Sequence, residues 1–537
     1  GEKLVKRVVA IVNEVDRRGC YAPVDFRRAV GIIAAGKWDS ATDEELEKAI
    51  RLAAIILRRF ATAMPIVFTH IRSLLSEAWR RVLSGEARGD EGRRQRLADM
   101  LTAVAYNAAR GRPSHLPRLF VPGKEKPDSE TVAQRFGALY NVASNAGKLR
   151  LLEALLYALD WDIGGVNIAA VLLGKPELGR WGALKEIVKR IRAFISCLKG
   201  VEKAYVVSLL YPRLAGEYAS MGEFDKAVKF AEKSLKALKK LKSAYKKDKT
   251  STEKELRLYL ELMWVKPDLG EELNDLSQRI YHNIVQVYLN ADELDKAIEY
   301  AKKACNFAKK LGDVYDEVVS CGLLPRLRAI RDGVLRVKKF EELWQKTSQD
   351  VEELGAVALA IKLGEYVVAL ASAGRLDKME EVMKEWGWAL ELDPDTSALT
   401  YGVLSLFDMR YLNKAVEYLS ELARADLPEL TVTSHNAVES DLFTTAKKKS
   451  SSTLRSSELF LLALVGLAYC KRGEEQSRKE EDLKLAKEAA WTGSQLFKGT
   501  VGRLFSELYK ALKGATVGNC VTKKVLGAVY KLYYLHV

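Results

Sequence analysis

The sequence predicts an all-α protein in which an N-terminal helical domain precedes an α-solenoid of stacked antiparallel helical hairpins. Three observations predict this fold. Apolar residues recur at i, i+3, i+4 and i+7 along nearly all 537 residues, and no stretch shows the period of two typical of strands. Only 12 prolines interrupt the chain. From about residue 201 onward, a pattern of small and aromatic residues repeats.

Residues 1–122 are predicted to form the N-terminal helical domain. One of its helices begins at a capping box, in which Thr42 and Glu45 precede an apolar helical run. The segment Gly111–Ser129 carries four prolines, so it is expected to hold no regular helix and to mark a boundary. A second helical block follows at 123–200.

The strongest internal signal is a repeat in which Tyr281 and its neighbours lie 70 residues after Tyr211 and its neighbours. The turn segments nearly coincide, as Glu223-Phe-Asp-Lys-Ala-Val and Glu293-Leu-Asp-Lys-Ala-Ile. A further copy spans 399–422, and looser copies span 363–394 and 462–493. Small residues are needed where two antiparallel helices approach most closely, and aromatic residues fill the gaps around them.

Large, small and aromatic residues on the first helix of each copy, with alanine on the second, resemble the tetratricopeptide repeat family over roughly 201–500. The family period is about 34 residues, whereas the clearest copies here lie 70 apart and mostly lack the family's Trp and final Pro. The resemblance implies hairpins over 201–430, and a last hairpin with capping helices over 458–537. Between them, the polar residues 431–457 are predicted to form a flexible loop.

The resemblance also implies that the first helix of each hairpin lines a concave groove that binds a protein or peptide. In the best-matched hairpin, that face carries Arg279, His282, Gln286 and Asn290, at i, i+3, i+7 and i+11. Such a polar stripe suits the backbone or carboxylate of an extended peptide. The alternative interpretation is an ordinary hydrated helix face.

The chain carries a net charge of +15 and has a pI near 9.2. One interpretation is attraction to nucleic acid. The other is a thermophile-type charged surface, because 71 acidic residues are interleaved with 86 basic ones. The candidate nucleic-acid contacts are Lys239, Lys240, Lys242, Lys246, Lys247, Arg93 and Arg94. Only Tyr245 lies among these lysines, which is a weak basis for stacking on single strands.

No motif for catalysis is found, so the protein is expected to be non-catalytic and to use no cofactor or metal. Gly31–Trp38 has the glycine spacing of a P-loop, but Trp38 stands where a Ser or Thr must hold Mg²⁺. The five histidines are scattered and form no zinc-binding motif. No Gly-x-Ser-x-Gly sequence occurs.

The six cysteines lack paired spacing, so we expect free thiols in a reducing cytoplasm and no disulfide framework. The longest apolar run identified, Leu459–Cys470, is about a third too short to cross a membrane, and no membrane span is expected. Residues 2–17 alternate charged and apolar residues, unlike a secretory signal.

The leading hypothesis is therefore a cytoplasmic interaction scaffold that binds a protein or peptide. One alternative is a helical protein associated with nucleic acid through its basic patches. Another is the sensor arm of a larger signalling NTPase whose catalytic part lies upstream of Gly1, an idea that rests on architecture alone. The sequence indicates neither the partner nor the oligomeric state.

Overall fold

The computed structural model describes residues 26–59, 64–85, 91–111, 113–161, 163–263, 268–426, 455–473 and 476–537. These residues form α-helices and three short 3-10 helices, and they contain no strand beyond one isolated bridge between Thr516 and Asn519. The prediction of an all-α fold is confirmed. Most of the predicted loop 431–457 lies outside the described residues, and Ser456 already begins a helix.

The chain divides into two compact units. Unit 1 is Gly1–Glu217 with Glu232–Leu273, and unit 2 is Tyr218–Ala231 with Asn274–Val537. Unit 1 thus runs through both the predicted N-terminal domain and the predicted second block, and the finer division at 122 and 200 stays a prediction.

The helices of unit 1 surround one central helix, α4. Its residues from Leu97 to Ala109 are all buried, because nearly every position there is small or apolar. It packs against α2 and α7, and α7 packs in turn against α8 and α9. The described helices of this unit are α1 (Phe26–Ala35), α2 (Asp43–Arg59), α3 (Met64–Ser84), α4 (Glu91–Gly111), α5 (Leu116–Phe120), α6 (Ser129–Val142), α7 (Asn145–Trp161), α8 (Ile163–Leu172), α9 (Arg180–Ser196), α10 (Gly200–Ser220), α11 (Phe224–Lys247) and α12 (Lys249–Met263).

Local sequence sets several helix ends in unit 1. The Asp128 carboxylate accepts a hydrogen bond from the Thr131 N–H at 2.8 Å and caps α6. The expectation that the proline-rich segment holds no regular helix is wrong for Leu116–Phe120. Pro117 lies in the first turn of that short helix, where its missing N–H leaves no helical hydrogen bond unmade.

Unit 2 is a succession of antiparallel neighbours. From α14 to α18, and again from α21 to α24, each helix packs against the next, and the last helix returns to pack against α15 and α19. Its described helices are α13 (Leu269–Asn290), α14 (Leu294–Leu311), α15 (Val314–Asp332), α16 (Val337–Gln349), α17 (Val351–Ser372), α18 (Leu376–Leu390), α19 (Pro394–Leu404), α20 (Leu412–Asp426), α21 (Ser456–Arg472), α22 (Gln476–Leu496), α23 (Gly499–Lys513) and α24 (Lys523–His536). It also includes the end of α10 and the start of α11.

Three hairpins of unit 2 share one turn, which carries the sequence repeat into the structure. Gly222, Asp292 and Gly374 have φ of 78°, 63° and 72°, and Asp292 is the only non-glycine residue with positive φ in the described part of the chain. In each turn the next N–H donates to a carbonyl five residues back, as from Glu223 to Tyr218 at 2.9 Å and from Glu293 to Tyr288 at 2.9 Å. The left-handed residue, together with this hydrogen bond across five residues, ends the first helix and reverses the chain.

Asp292 takes this conformation with help from α23. The Arg503 guanidinium donates to its carboxylate at 2.7 Å, and the Thr500 hydroxyl donates to the Leu289 carbonyl in the same turn. A side chain on Gly499 would collide with the Asn290 carbonyl, so this glycine permits the close approach of the two backbones. A non-glycine residue can therefore stand at the left-handed position because neighbouring groups hold it there.

The core of unit 2 includes buried charges. Lys362 and Glu365, on α17, are 5% and 0% exposed, and their Nζ and Oε2 atoms lie 3.1 Å apart. Arg326 Nε, on α15, lies 3.7 Å from the other Glu365 oxygen. Arg326 also donates to the carbonyl of Tyr534, whose hydroxyl donates to the Glu365 carbonyl at 2.7 Å. This network connects α15, α17 and α24 in the interior.

Two expectations from the sequence need correction. The stretch Leu354–Ser372 is long and apolar enough to cross a membrane, with a mean hydropathy of 1.8, and the earlier estimate overlooked it. In the structure 78% of it is buried within the protein, as a core helix. The sequence reading missed it because Lys362 and Glu365 interrupt an otherwise apolar run.

The second correction concerns cysteine. Cys305 is bonded to Cys321 across α14 and α15, and Cys470 is bonded to Cys520, so the expectation of no disulfides is wrong for these four residues. Among the described residues, Cys197 is free. Disulfides persist in oxidising compartments and in intracellular proteins of hyperthermophiles.

The buried alanines of the hairpins provide a test of the packing. Ala297 is fully buried on α14, and Ala297→Phe should overpack the contact with α13 and lower the free energy of unfolding by about 1–3 kcal/mol. The matched control is Asn306→Phe, at an exposed position of the same helix. Equal thermal midpoints for the two variants would show that Ala297 is not at a helix contact.

The turn is testable at Gly374, where an added side chain meets no neighbouring atom. Because φ is 72°, Gly374→Ala should still destabilise unit 2 by about 1–2 kcal/mol through backbone strain alone. Gly527→Ala, at an equally open position inside α24, should instead stabilise by about 0.5–1 kcal/mol. Chemical denaturation measures both, and effects of the same sign would contradict the left-handed turn.

Candidate functional site

An aromatic and charged module recurs at the hairpins of unit 2. Tyr218 stacks on Phe230 with ring centroids 5.4 Å apart, and Tyr288 stacks on Tyr300 at the same distance. Both tyrosines lie at the end of a first helix, and both partners lie on the second helix of the hairpin. In these two copies the ring of the first helix stacks directly on the ring of the second.

Each copy adds the same ion pair. Lys226 lies over the Tyr218 ring at 5.7 Å, and Lys296 lies over the Tyr288 ring at 5.4 Å. Both ammonium groups also pair with the glutamate that follows the turn, as Lys296 does with Glu293 at 2.6 Å. A lysine held between a ring face and a carboxylate covers the aromatic pair from solvent.

The α19–α20 hairpin carries an altered version of this module. Lys414, equivalent to Lys296, lies over Tyr401 at 5.4 Å, and Tyr401 stacks on Tyr418 and on Tyr411. The turn also differs, because a 3-10 helix, Met409–Tyr411, replaces the left-handed residue. With Lys414 aligned to Lys296, the equivalent of Tyr288 is Leu406, and Tyr401 lies five positions earlier. Its ring centroid lies 6.3 Å from that of Tyr418 and 5.8 Å from that of Tyr411.

A pocket of about 420 Å³ opens beside these rings. Its walls come from α18, α19 and the start of α20, and Trp388 on its rim is 54% exposed. A row of tryptophans, Trp344, Trp386 and Trp388, holds that indole, with centroids 5.3 Å and 6.0 Å apart. The lining residues are Glu380, Met383, Lys384, Gly387, Trp388, Glu391, Tyr401, Arg410, Tyr411 and Lys414.

The charges around the pocket are paired with one another. Arg410 contacts Glu380 at 3.1 Å and Asp408 at 2.6 Å, and Lys414 pairs with Glu391. The Arg410 guanidinium lowers the pKa of the Glu380 and Asp408 carboxyls, so both remain ionised at neutral pH. No charge is left for an ionic ligand to neutralise, whereas the aromatic surface between the pairs is open. The pocket therefore suits an apolar, aromatic or proline side chain.

The four residues predicted to bind a partner lie on α13, and all are half-buried. Arg279 pairs with Asp275 at 2.9 Å, and His282 is turned toward Arg326 and Lys362 of the buried network. The main chain of Asn290 packs on Gly499. Gln286, the fourth of these residues, is half-buried on the same helix. The structure thus directs the first two toward different neighbours, and partner binding by the four stays a prediction.

The predicted nucleic-acid contacts fall in two different settings. Lys239, Lys240, Lys246 and Lys247 are exposed on α11, and Lys242 is half-buried there. Arg94 donates to the Val82 carbonyl at 2.8 Å, and Arg93 lies close enough to Glu44 to lower its pKa. The arginines are thus occupied within unit 1, and the lysines are more accessible.

Sequence reasoning missed the pocket. The repeat at 399–422 rests mainly on aliphatic residues and on the match of Lys414-Ala-Val-Glu-Tyr418 to Lys296-Ala-Ile-Glu-Tyr300, and neither pattern points to Tyr401 or Tyr411. The available signal was the concentration of aromatic residues in this copy, together with Trp386-Gly-Trp388 just before it. Among the described residues, no group of three or more His, Cys, Asp or Glu side chains is placed to hold a metal ion.

Among known proteins, solved structures resemble this chain. No family model matches the chain, and no curated protein matches it. The chain is similar to the crystal structure of a signal transduction ATPase with numerous domains (STAND) that has a tetratricopeptide repeat sensor, from Pyrococcus horikoshii. The identity is 10% and the TM-score 0.36, over 89% of this chain and 74% of that chain. At these values the similarity does not establish a shared function.

The environment of His282 predicts a response to acid. Burial, together with the nearby Arg326 and Lys362, lowers its pKa to about 4, and its Nδ1 has no hydrogen-bond partner among the described residues. A histidine with a depressed folded-state pKa stabilises the fold above its unfolded pKa of about 6.5, and that contribution is lost as pH falls toward 4.

The variant His282→Gln removes this titrating group, and with it the pH-dependent contribution of His282 to the free energy of unfolding. Between pH 7 and pH 4.5, its free energy of unfolding should fall by about 2–3 kcal/mol less than that of the wild type. Urea denaturation at a series of pH values measures the difference. If the free energies of unfolding of the two proteins changed with pH in parallel, the pKa of His282 would be the same in the folded and unfolded states.

Proposed function

We propose that the protein is a non-catalytic interaction protein that binds a peptide segment of its partner in the Trp388–Tyr411 pocket of unit 2. The observation that carries this proposal is an aromatic pocket whose surrounding charges are already paired. An extended peptide with an aromatic, aliphatic or proline anchor fits such a surface, because aromatic-lined grooves recognise segments of this kind.

The distribution of exposed apolar side chains supports the same surface. Large hydrophobic residues that remain exposed near one another indicate interaction sites more reliably than isolated ones. In the described part of the chain, four of them fall within the stretch that builds the pocket: Leu376, Trp388, Leu392 and Met409. Tryptophan is also enriched among residues that dominate binding energy. We therefore assign Trp388 as the principal contact.

Both an independent scaffold and the sensing arm of a larger signalling NTPase would use a surface of this kind. The proposal concerns the surface itself and applies to either arrangement.

The test uses a displayed library of random peptides, selected on the wild-type protein. Enriched peptides are then synthesised, and their affinities for Trp388→Ala and Trp491→Ala are measured by fluorescence polarisation. Trp491 is a matched control, since it is 48% exposed on α22 and lies outside the pocket. We expect Trp388→Ala to weaken binding about tenfold or more, and Trp491→Ala to leave it nearly unchanged. A library that yields no binder, or binders insensitive to Trp388→Ala, would overturn the proposal.

A further inference from the structure

Helix α11 presents a row of lysines that the hairpin does not require. Its buried face consists of small and apolar residues at Ala227, Ala231, Ser234, Leu238 and Leu241. The opposite face is exposed and carries lysine at five of the six positions in one helical row, namely 229, 233, 236, 240 and 247, with Ser243 between the last two. From Lys229 to Lys247 this row extends about 27 Å along the helix.

These lysines differ from most exposed lysines of the protein in their surroundings. Elsewhere a carboxylate three or four residues away is usual, as for Lys303 with Glu299 and Lys378 with Glu381. Between Lys233 and Lys247 the chain contains seven lysines and no acidic residue. No ion pair is formed by Lys236, Lys239, Lys240, Lys246 or Lys247 in the described part of the chain. The positive charge of these five lysines is therefore not balanced by an ion pair among the described residues.

The comparison between repeats shows that the hairpin does not require the row, because the equivalents of Lys229 and Lys236 on α14 are Glu299 and Asn306. Helix α14, the equivalent of α11, has 18 residues and ends where Gly312 turns left-handed. Helix α11 has 24 residues and continues past the equivalent position, Lys242, to Lys247. Like charges three or four residues apart destabilise a helix by about 0.2–0.5 kcal/mol per pair. The row places Lys229, Lys233, Lys236 and Lys240 at these spacings, so it does not add to the stability of the helix.

We propose that this lysine row is a binding surface for the phosphate backbone of duplex nucleic acid, and that it is independent of the pocket in unit 2. Lysines along one face of a rigid helix can each approach a phosphate, because a duplex presents a charge every 1.7 Å or so along its axis. Such contacts hold the backbone without reading the bases, so binding should not depend on sequence.

The same face argues against two other polyanions. Every exposed residue of α11 is charged or is Ser243, so no apolar side chain is available to enter a membrane interface. No aromatic ring is exposed on α11 for stacking the bases of a single strand, since Tyr245 is half-buried beside Gly270 and Lys249. Binding to the backbone of a duplex requires neither apolar nor aromatic side chains, because lysines alone can neutralise its phosphates.

The experiment measures binding of the full chain to a fluorescent duplex of about 24 base pairs of mixed sequence, as a function of salt. The test variant carries Lys236→Gln, Lys240→Gln and Lys247→Gln in the lysine row, together with Lys239→Gln next to it. The control carries Lys302→Gln, Lys303→Gln, Lys309→Gln and Lys310→Gln on α14, where Lys309 and Lys310 are the repeat equivalents of Lys239 and Lys240. Each variant lowers the net charge by four, and circular dichroism confirms that both are folded.

We expect wild type and control to bind alike, with a log–log salt slope of about −4 to −5 for contacts to about five phosphates. The test variant should bind at least about tenfold more weakly, with a slope smaller by about 3. Equal losses in both variants would assign the binding to net charge and overturn the proposal, as would absence of binding near 50 mM salt. Vesicles containing phosphatidylserine serve as a second probe. Binding to them that depends on the lysine row and matches or exceeds duplex binding would also overturn it.

Discussion

The repeated hairpins of unit 2 depend on one backbone constraint, a single left-handed residue after the first helix. With that residue at Gly222, Asp292 or Gly374, the N–H of the next residue reaches a carbonyl five residues back, and the second helix begins at once. The direction of the second helix then determines which side chains meet. Alanines at the contact and stacked aromatics beside it follow from that direction, which is why their spacing repeats together with the turn.

The pocket arises where this constraint is absent. The α19–α20 connection uses a 3-10 helix, and Tyr401 supplies the ring in place of Leu406, the equivalent of Tyr288, although Lys414 and Tyr418 keep the positions of the regular module. In the regular copies, a lysine lies over the tyrosine ring and pairs with a glutamate. In the altered copy Tyr401 stacks on two tyrosines, and Trp388 from α18 stands beside them. A structural module thus becomes a surface with room for a side chain from another molecule.

Much of the architecture follows from sequence alone, because periodicity reports which face of a helix is apolar. The burial of Ala227 and Ala297 and the shared turn at Gly222 and its equivalents could be anticipated in this way. The pocket could not be, since it requires α18, α19 and α20 to meet, and periodicity does not say which helix covers which face. The two disulfides join cysteines that are 16 and 50 residues apart. They could not be predicted either, because their formation also depends on which helices meet in the folded protein.

The buried network of Arg326, Lys362 and Glu365 has an evolutionary consequence. Removing one partner of a buried ion pair leaves an uncompensated charge and costs about 3–5 kcal/mol, whereas replacing the whole set by apolar residues is often neutral. Replacing the three residues by apolar ones through single substitutions would therefore pass through variants that fold poorly. We expect descendants of this chain either to keep all three residues or to have exchanged them together.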